Sequence, residues 1–266
     1  MDYLSRLESE SIYVIREAYH RYSRPAMLWS MGKDSTALLW LVRKAFLGRV
    51  PFPVLHIDTS YKFPEIYAFR DRLTAEWGLD LKVARNDQAL AEGMNSTKVD
   101  KFTCCNALKT TALKQAIAKL GFEALLLGIR RDEHGVRAKE RYFSPRKQDF
   151  TWNVGGQPPE LWDLYATVDD AAHDRIHPLL HMTELDIWRY TRREGIPVNP
   201  LYLAKGGKRF RSIGCAPCCA AIDSNAATVD DIIAELESST EPERAGRSQD
   251  KENAYTMQKL RSLGYM

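Results

Sequence analysis

The stretch that most limits what this chain can become is Ser30-Met31-Gly32-Lys33-Asp34-Ser35-Thr36, taken with its two flanks. A short apolar run, Ala26 to Trp29, leads in and reads as a buried strand. Behind it, Leu38, Leu41, Val42, Ala45 and Phe46 share the spacing of one helix face. The stretch therefore sits in a strand-to-helix turn. There, backbone N–H groups without helical partners and the positive end of the helix dipole face one point, which attracts an anion. Gly32 lets a ligand approach the backbone, Ser30, Ser35 and Thr36 offer hydroxyl donors, and Lys33 adds a mobile positive charge. These residue types in this order suit the holding of a phosphate chain.

The loop is not the Walker A pattern, because no stretch supplies Gly, four residues and then Gly-Lys-Ser/Thr. It resembles instead the PP-loop, Ser-Gly-Gly-x-Asp-Ser, of the ATP pyrophosphatases, with Met31 in place of the first glycine. The resemblance implies that ATP is gripped by its β and γ phosphates and cut between α and β. A plain βα turn rich in serine and glycine is the alternative, and the number of matching residues in one context counts against it.

Further strings follow. Val54 to Ile57 reads as a second strand that ends in Asp58-Thr59, and strand ends are where open α/β sheets bind ligands. Asp58-Thr59-Ser60-Tyr61-Lys62-Phe63-Pro64-Glu65 resembles the Asp-Thr…Phe-Pro-Glu stretch of the reductase and sulfurylase branch of the same family. A capped helix start explains the same residues and is compatible with a ligand role. Leu79 to Val83 and Ala124 to Leu127 read as strands, Thr103 to Leu120 as one helix stopped by Gly121, and Arg175 to Leu180 as a fifth strand. Just past the fourth strand, Arg130, Arg131, Arg137, Lys139 and Arg141 cluster. A charge run is often a solvated face. At a strand end, arginine forks match phosphate or sulfate oxygens. Arg130-Arg131-Asp132-Glu133, Pro159-Glu160-Leu161-Trp162, Thr183-Glu184-Leu185-Asp186-Ile187-Trp188 and the tail from Ser224 to Tyr265 all look like the small subunit of sulfate adenylyltransferase. So does the basic, glycine-rich Lys205-Gly206-Gly207-Lys208-Arg209-Phe210-Arg211, although Leu203 to Lys208 is shorter than the family's segment.

The fold expected is α/β: a doubly wound, mainly parallel five-stranded sheet with an irregular C-terminal extension. Residues 1–200 would form the nucleotide-binding domain and 201–266 a substrate or cluster extension packed on it. A chain of 266 residues, 44% apolar and 27% charged, can bury such a core. The net charge of +3 is too mild to argue nucleic-acid binding by itself. No apolar run approaches ~18 residues, so no membrane span is expected. The acidic start without an apolar core is no secretory signal, which points to a reducing cytoplasm.

In that compartment the five cysteines are ligands, catalysts or free thiols rather than disulfides. Cys104-Cys105 and Cys215-Ala216-Pro217-Cys218 supply four thiolates, enough for a [4Fe-4S] cluster or a zinc ion. The layout resembles the cluster ligands of assimilatory adenylylsulfate reductases, yet no cysteine follows Cys219 to serve as their catalytic thiol. Two unrelated pairs of buried small residues are the plainer alternative. His177 and His181 are not expected to bind metal together, because Pro178 opposes a helix that would align them.

The resemblance thus implies an enzyme of the sulfate adenylyltransferase small-subunit type, using ATP and Mg2+ and working with a GTPase large subunit. Lys33, Asp34, Arg130 and Arg131 would carry the chemistry; Ser30, Gly32, Ser35, Thr36, Asp58 and Thr59 would join in nucleotide binding; Arg137, Arg209 and Arg211 would hold the sulfate. The second reading puts the thiols first. It is an Fe–S protein that adenylylates a nucleic-acid oxygen for sulfur insertion, as in DNA phosphorothioation, with a cysteine desulfurase and DNA as partners. A nucleotide-sensing scaffold with a dead site is a third, opposed by the intact Lys33, Asp34 and Ser35.

Overall fold

The structure, a computed structural model, describes residues 1–166, 168, 170–239, 243, 259, 260 and 262–264. Helix α1 (Tyr3–Arg21) buries Leu7, Ser11, Val14, Ile15 and Ala18, one face of an amphipathic helix. Strand β1 (Pro25–Leu28), helix α2 (Lys33–Ala45), strand β2 (Val54–Ile57), helix α3 (Pro64–Trp77) and strand β3 (Leu81–Ala84) then alternate along the chain. Proline at the first turn of α3 marks its start as the sequence suggested, and left-handed Gly78 follows its last turn.

Among the described residues the main sheet has six strands, in the order β3-β2-β1-β4-β6-β5, where β4 is Ala124–Leu126, β5 Phe143–Arg146 and β6 His173–Ile176. The pairings β1–β2, β1–β4, β2–β3 and β4–β6 are parallel, and only β5 runs antiparallel, against β6. Five strands were expected. The sixth, β5, has no strand signal in the sequence, because Phe143-Ser144-Pro145-Arg146 lacks apolar alternation and carries a proline. That proline is tolerated on an edge strand, where no ladder donor is needed on the outer side. Strands β1, β2 and β4 are buried along their whole length, as a sheet covered on both faces requires. One apolar core joins them to α1, α2 and α3 and continues to Tyr202, Ile213 and Ile232 in the C-terminal part.

The stretch read as one helix from Thr103 to Leu120 is interrupted. It comprises α5 (Lys101–Cys105), a π-helical turn at Asn106–Thr111 and α6 (Ala112–Leu120). Period counting misses this, because one wide turn does not disturb the surrounding apolar spacing. Short α4 (Asp87–Ala91) precedes it, and α7 (Glu184–Glu194) and α8 (Val229–Ser238) follow. Both α7 and α8 open on complete capping boxes, Thr183 with Asp186 and Thr228 with Asp231. A two-stranded ribbon, β7 (Lys208–Arg209) with β8 (Ile222–Asp223), carries the glycine-rich turn. No helix among the described residues is long and apolar enough to cross a membrane.

Candidate nucleotide site

In this strand order, β1 leads to β2 on one side and to β4 on the other, which creates a crevice at their carboxyl ends. The Ser30–Thr36 loop fills that position. Met31 adopts φ 60°, in the left-handed region, at the position where the resembling loops have glycine. Its side chain is fully buried, and that apolar burial offsets the backbone strain. Gly32 ends the turn, and a Cβ there would come within 3.3 Å of the Tyr202 hydroxyl. That hydroxyl accepts a hydrogen bond from the Lys33 N–H at 3.0 Å. Ser35 Oγ lies 3.1 Å from Ser30 Oγ and accepts from the Ser30 N–H at 3.3 Å. Opposite, the end of β4 presses on the helix start. A Cβ on Gly128 would stand 2.9 Å from the Asp34 carbonyl carbon and oxygen, so only glycine fits.

A cavity of about 160 Å³ opens beside this loop. Its apolar walls include Leu28, Trp29, Leu55, Ile57, Leu127, Ile129 and Ile213; its polar side includes Ser30, Lys33, Asp34 and Ser35. Such a division suits a flat base at one end and phosphates at the other. The buried Lys33 ammonium contacts Asp34 at 3.2 Å and Glu184 at 3.8 Å and pairs with Glu243. Burial opposes its charge, but Glu243 and Glu184 outweigh burial and raise its pKa. Arg130, wholly buried, divides its nitrogens among Asp34, Asp132 (2.9 Å) and Glu243. Its pKa is likewise raised: burial works against the charge, and Glu243 and Asp132 prevail. His56 lines the same cavity, with Nδ1 3.2 Å from the Trp29 carbonyl oxygen. Burial, helped by Lys62, lowers its pKa to about 3, so the ring is neutral at ordinary pH.

Of the residues expected at the site, Ser30, Gly32, Lys33, Asp34, Ser35 and Arg137 line this cavity, and Arg130 reaches its acids. The others are elsewhere. Thr36 turns inward and accepts from the Trp29 indole at 3.2 Å. Asp58 accepts from the Tyr67 hydroxyl and the Ser60 N–H, both at 2.8 Å, capping the loop before α3. Arg131 stacks over Tyr142 and is not among the cavity's lining residues. Arg209 is buried against Glu235 and Ser224, holding the ribbon to α8, and has no place at the cavity. Arg211 pairs with Glu184 at 2.8 Å and lines a neighbouring cavity of about 250 Å³ with Asp132, Thr183 and Glu243. Sequence reasoning missed Glu184, Glu243, Tyr202, His56, Lys62 and Lys109. Only Glu184 left a trace, as the first helical residue behind a capping threonine.

Thr59 contacts the Cys215 sulfur at 3.1 Å, which introduces the thiols. Cys104, Cys105, Cys215 and Cys218 line one small cavity with Thr59, Tyr61, Ser96, Leu108 and Lys109. The β2–α3 loop is joined there to the Cys215 turn by a bridge between Lys62 and Cys215. Burial and then the neighbouring thiols push the Cys104 thiol up to about 12. Among the described residues, no group of three or more histidines, cysteines, aspartates or glutamates is arranged to hold a metal ion. What the structure brings together is the donor set, in a shared apolar cavity. Lys109 lines both the thiol cavity and the nucleotide cavity. His177 and His181 are structural: His177 Nδ1 meets the Arg141 carbonyl at 2.7 Å and His181 Nε2 the Leu7 carbonyl at 3.0 Å.

A mostly parallel α/β fold with a cavity beside the turn after its first strand is the class these features define. The chain belongs to the phosphoadenosine phosphosulfate reductase domain family, whose model matches residues 24–221. It is 42% identical to "Sulfate adenylyltransferase subunit 2" of Chelativorans sp. (strain BNC1), over 100% of this chain and 98% of that protein. The protein of the same description from Myxococcus xanthus (strain DK1622) is also 42% identical, over 99% of this chain and 96% of its own length. The Chelativorans alignment runs over 296 positions against 266 residues here, so segments of that relative have no counterpart in this chain. Among solved structures, FMN adenylyltransferase of Candida glabrata in complex with ATP superposes with TM-score 0.57 at 17% identity, covering 81% of this chain and 62% of that one. Phosphoadenylyl-sulfate reductase of Candida auris gives 0.53 at 16%, covering 77% and 95%. At such identities these two speak for the fold alone.

Proposed function

We propose that the chain is the catalytic small subunit of a sulfate adenylyltransferase, which joins ATP and sulfate to give adenylyl sulfate and pyrophosphate. The single observation that carries this reading is the convergence of Lys33 and the Arg130 fork on the N-terminus of α2, beside a cavity with an apolar end. The full-length similarity to proteins of that description supports it. A sulfate oxygen attacks the α-phosphorus while the bridging oxygen toward the β-phosphorus departs with pyrophosphate. The leaving charge develops next to Lys33, Arg130 and the N–H groups of Ser30–Thr36. Positioning and charge thus do most of the work. Arg137, at the cavity wall with Glu133, and Arg211, one cavity away, are the arginines able to orient the sulfate. Asp34 is the loop carboxylate suited to a hard cation, and Mg2+ bound there would offset phosphate charge. Relatives described as subunit 2 support a large-subunit partner, proposed to be a GTPase.

The thiols favour an addition to this reading. Four buried cysteines on one cavity are a soft donor set, and their mutual repulsion as thiolates would be relieved by iron. We propose that Cys104, Cys105, Cys215 and Cys218 hold a [4Fe-4S] cluster; when bound, it would supply electron-transfer or sulfur-handling chemistry. With the cluster, the second reading gains weight: adenylylation of a nucleic-acid oxygen for sulfur insertion, with a cysteine desulfurase and DNA as partners.

One experiment separates the readings. The protein is purified anaerobically, assayed for iron and for absorption near ~400 nm, and then for pyrophosphate release with sulfate or with DNA. Sulfate-stimulated release that Lys33→Ala abolishes, with the melting transition kept, is the expected result. Release indifferent to sulfate but raised by DNA transfers the case to the second reading. A colourless, iron-free protein removes the cluster, and unchanged turnover in Lys33→Ala removes the site.

A further inference from the structure

Glu243 closes on the two cations at the N-terminus of α2. Its carboxylate pairs through one oxygen with the Lys33 ammonium and through the other with the Arg130 fork, and its side chain is 5% exposed. It lines the nucleotide cavity and also the neighbouring cavity that contains Arg211, Asp132, Thr183 and Glu184, so it is a shared wall of both. Burial alone would make it a weak acid. Lys33 and Arg130 more than reverse that and hold it ionised.

The local charge count shows what this contact does. Around the loop, Lys33, Arg130 and Arg211 face Asp34, Asp132, Glu184 and Glu243, and the cavity wall adds Lys62, Lys109 and Arg137 beside Glu133. With Glu243 seated, the two cations at the N-terminus of α2 are already engaged by its carboxylate. A triphosphate tail brings several more negative charges to the same point, and like charges at contact distance disfavour one another. Withdrawing Glu243 removes one negative charge from that point. It also frees two hydrogen-bonding cations whose geometry, a point charge and a fork, suits phosphate oxygens.

We infer that Glu243 is a resident competitor of the nucleotide. It occupies a phosphate-oxygen subsite, keeps Lys33 and Arg130 paired when no nucleotide is bound, and must leave them for the β and γ phosphates to enter. The inference rests on the assignment of the Ser30–Thr36 loop as the phosphate site. Its consequence is that the protein binds nucleotide more weakly than its loop allows, by the factor with which the seated carboxylate is populated. Seating also adds a further carboxylate to two buried cations that already contact Asp34, with Glu184 beside Lys33 and Asp132 beside Arg130.

The test uses the full chain and direct binding of inorganic pyrophosphate and of MgATP by calorimetry. Glu243→Gln retains size and loses charge. The expected result is binding of both probes tightened by about tenfold or more, with a lower melting temperature for the free protein and a larger ligand-induced rise than in wild type. Binding equal to or weaker than wild type overturns the inference and makes Glu243 a permanent part of the site. If the Gln variant does not fold, Glu243→Asp, which keeps the charge but retracts it by one methylene, must tighten binding in the same direction; weaker binding again overturns it. Lys33→Ala separates this from the underlying assignment. Loss of pyrophosphate binding in that variant upholds the loop as the anion site whatever Glu243 does, whereas unchanged binding removes both.

Discussion

At the scale of single residues, the site depends on close approaches that leave no room for error. Gly128 is the clearest. Its missing Cβ is what lets the end of β4 touch the first turn of α2, with the Asp34 backbone 2.9 Å from where the atom would be. Backbone cannot rotate away as a side chain can. Gly128→Ala should therefore cost about 1–3 kcal/mol of stability through overpacking. It should also weaken ATP binding by at least about tenfold, because the loop N–H groups move with the helix start. A urea titration and an ATP isotherm would check both; an unchanged isotherm would show that the contact does not position the loop. Met31 teaches the complementary lesson. The sequence marked it as a departure from glycine, and its left-handed backbone explains why glycine is the usual choice there.

Among elements, helix α7 matters out of proportion to its length. Its capping box fixes the first turn: the Asp186 N–H donates to Thr183 Oγ1 at 3.2 Å, and the Thr183 N–H donates to Asp186 Oδ2 at 2.9 Å. The next residue, Glu184, takes its N–H to Asp132 at 2.8 Å and its carboxylate to Arg211 and Lys33. The cap thus orients an acid that touches the phosphate loop. Thr183→Ala should lower stability by about 1 kcal/mol with an unchanged denaturant slope; a change below a few tenths would mean that Asp186 alone suffices. The α5–π–α6 unit has a similar place. Its wide turn at Asn106–Thr111 directs Lys109 to both the thiol cavity and the nucleotide cavity.

For the whole molecule, the buried titratable groups predict an asymmetric response to acid. His56 and His173 are held neutral, the first down to about pH 3 and the second well below 6.5, in both cases chiefly by burial. Unfolded, they would take protons near their ordinary value of 6.5. The folded state is therefore favoured fully above pH 6.5 and loses that advantage as pH falls from there toward 3, by up to roughly 4 kcal/mol for His56. Glu243, with its pKa lowered from 4.5, adds a loss of the same sign below that pH. Lys33, raised from 10.5, contributes stability below that value and loses it only as pH rises beyond. The melting temperature should be level between about pH 7 and pH 9 and fall steadily below 6.5. A level profile down to pH 4 would contradict the burial of these rings.

The strand and helix on either side of the Ser30–Thr36 turn, and the two local pairs of cysteines, were legible in the sequence. They are local: a turn, a cap or a Cys-x-x-Cys is written within a few neighbouring residues whose spacing fixes their geometry. Apolar periodicity likewise determined a mostly parallel α/β sheet, while the proline-bearing edge strand and the π turn, which have no distinctive period, escaped it. The meeting of Lys33 with Glu184 and Glu243, of the Gly32 turn with Tyr202, and of Cys104 with Cys215 was decided by tertiary structure alone. These partners are separated by more than a hundred residues each, and only the packing of sheet, helices and C-terminal part sets their distance. So the sequence marked the turn after the first strand, and the fold decided which distant acids, Glu184 and Glu243, meet Lys33 there.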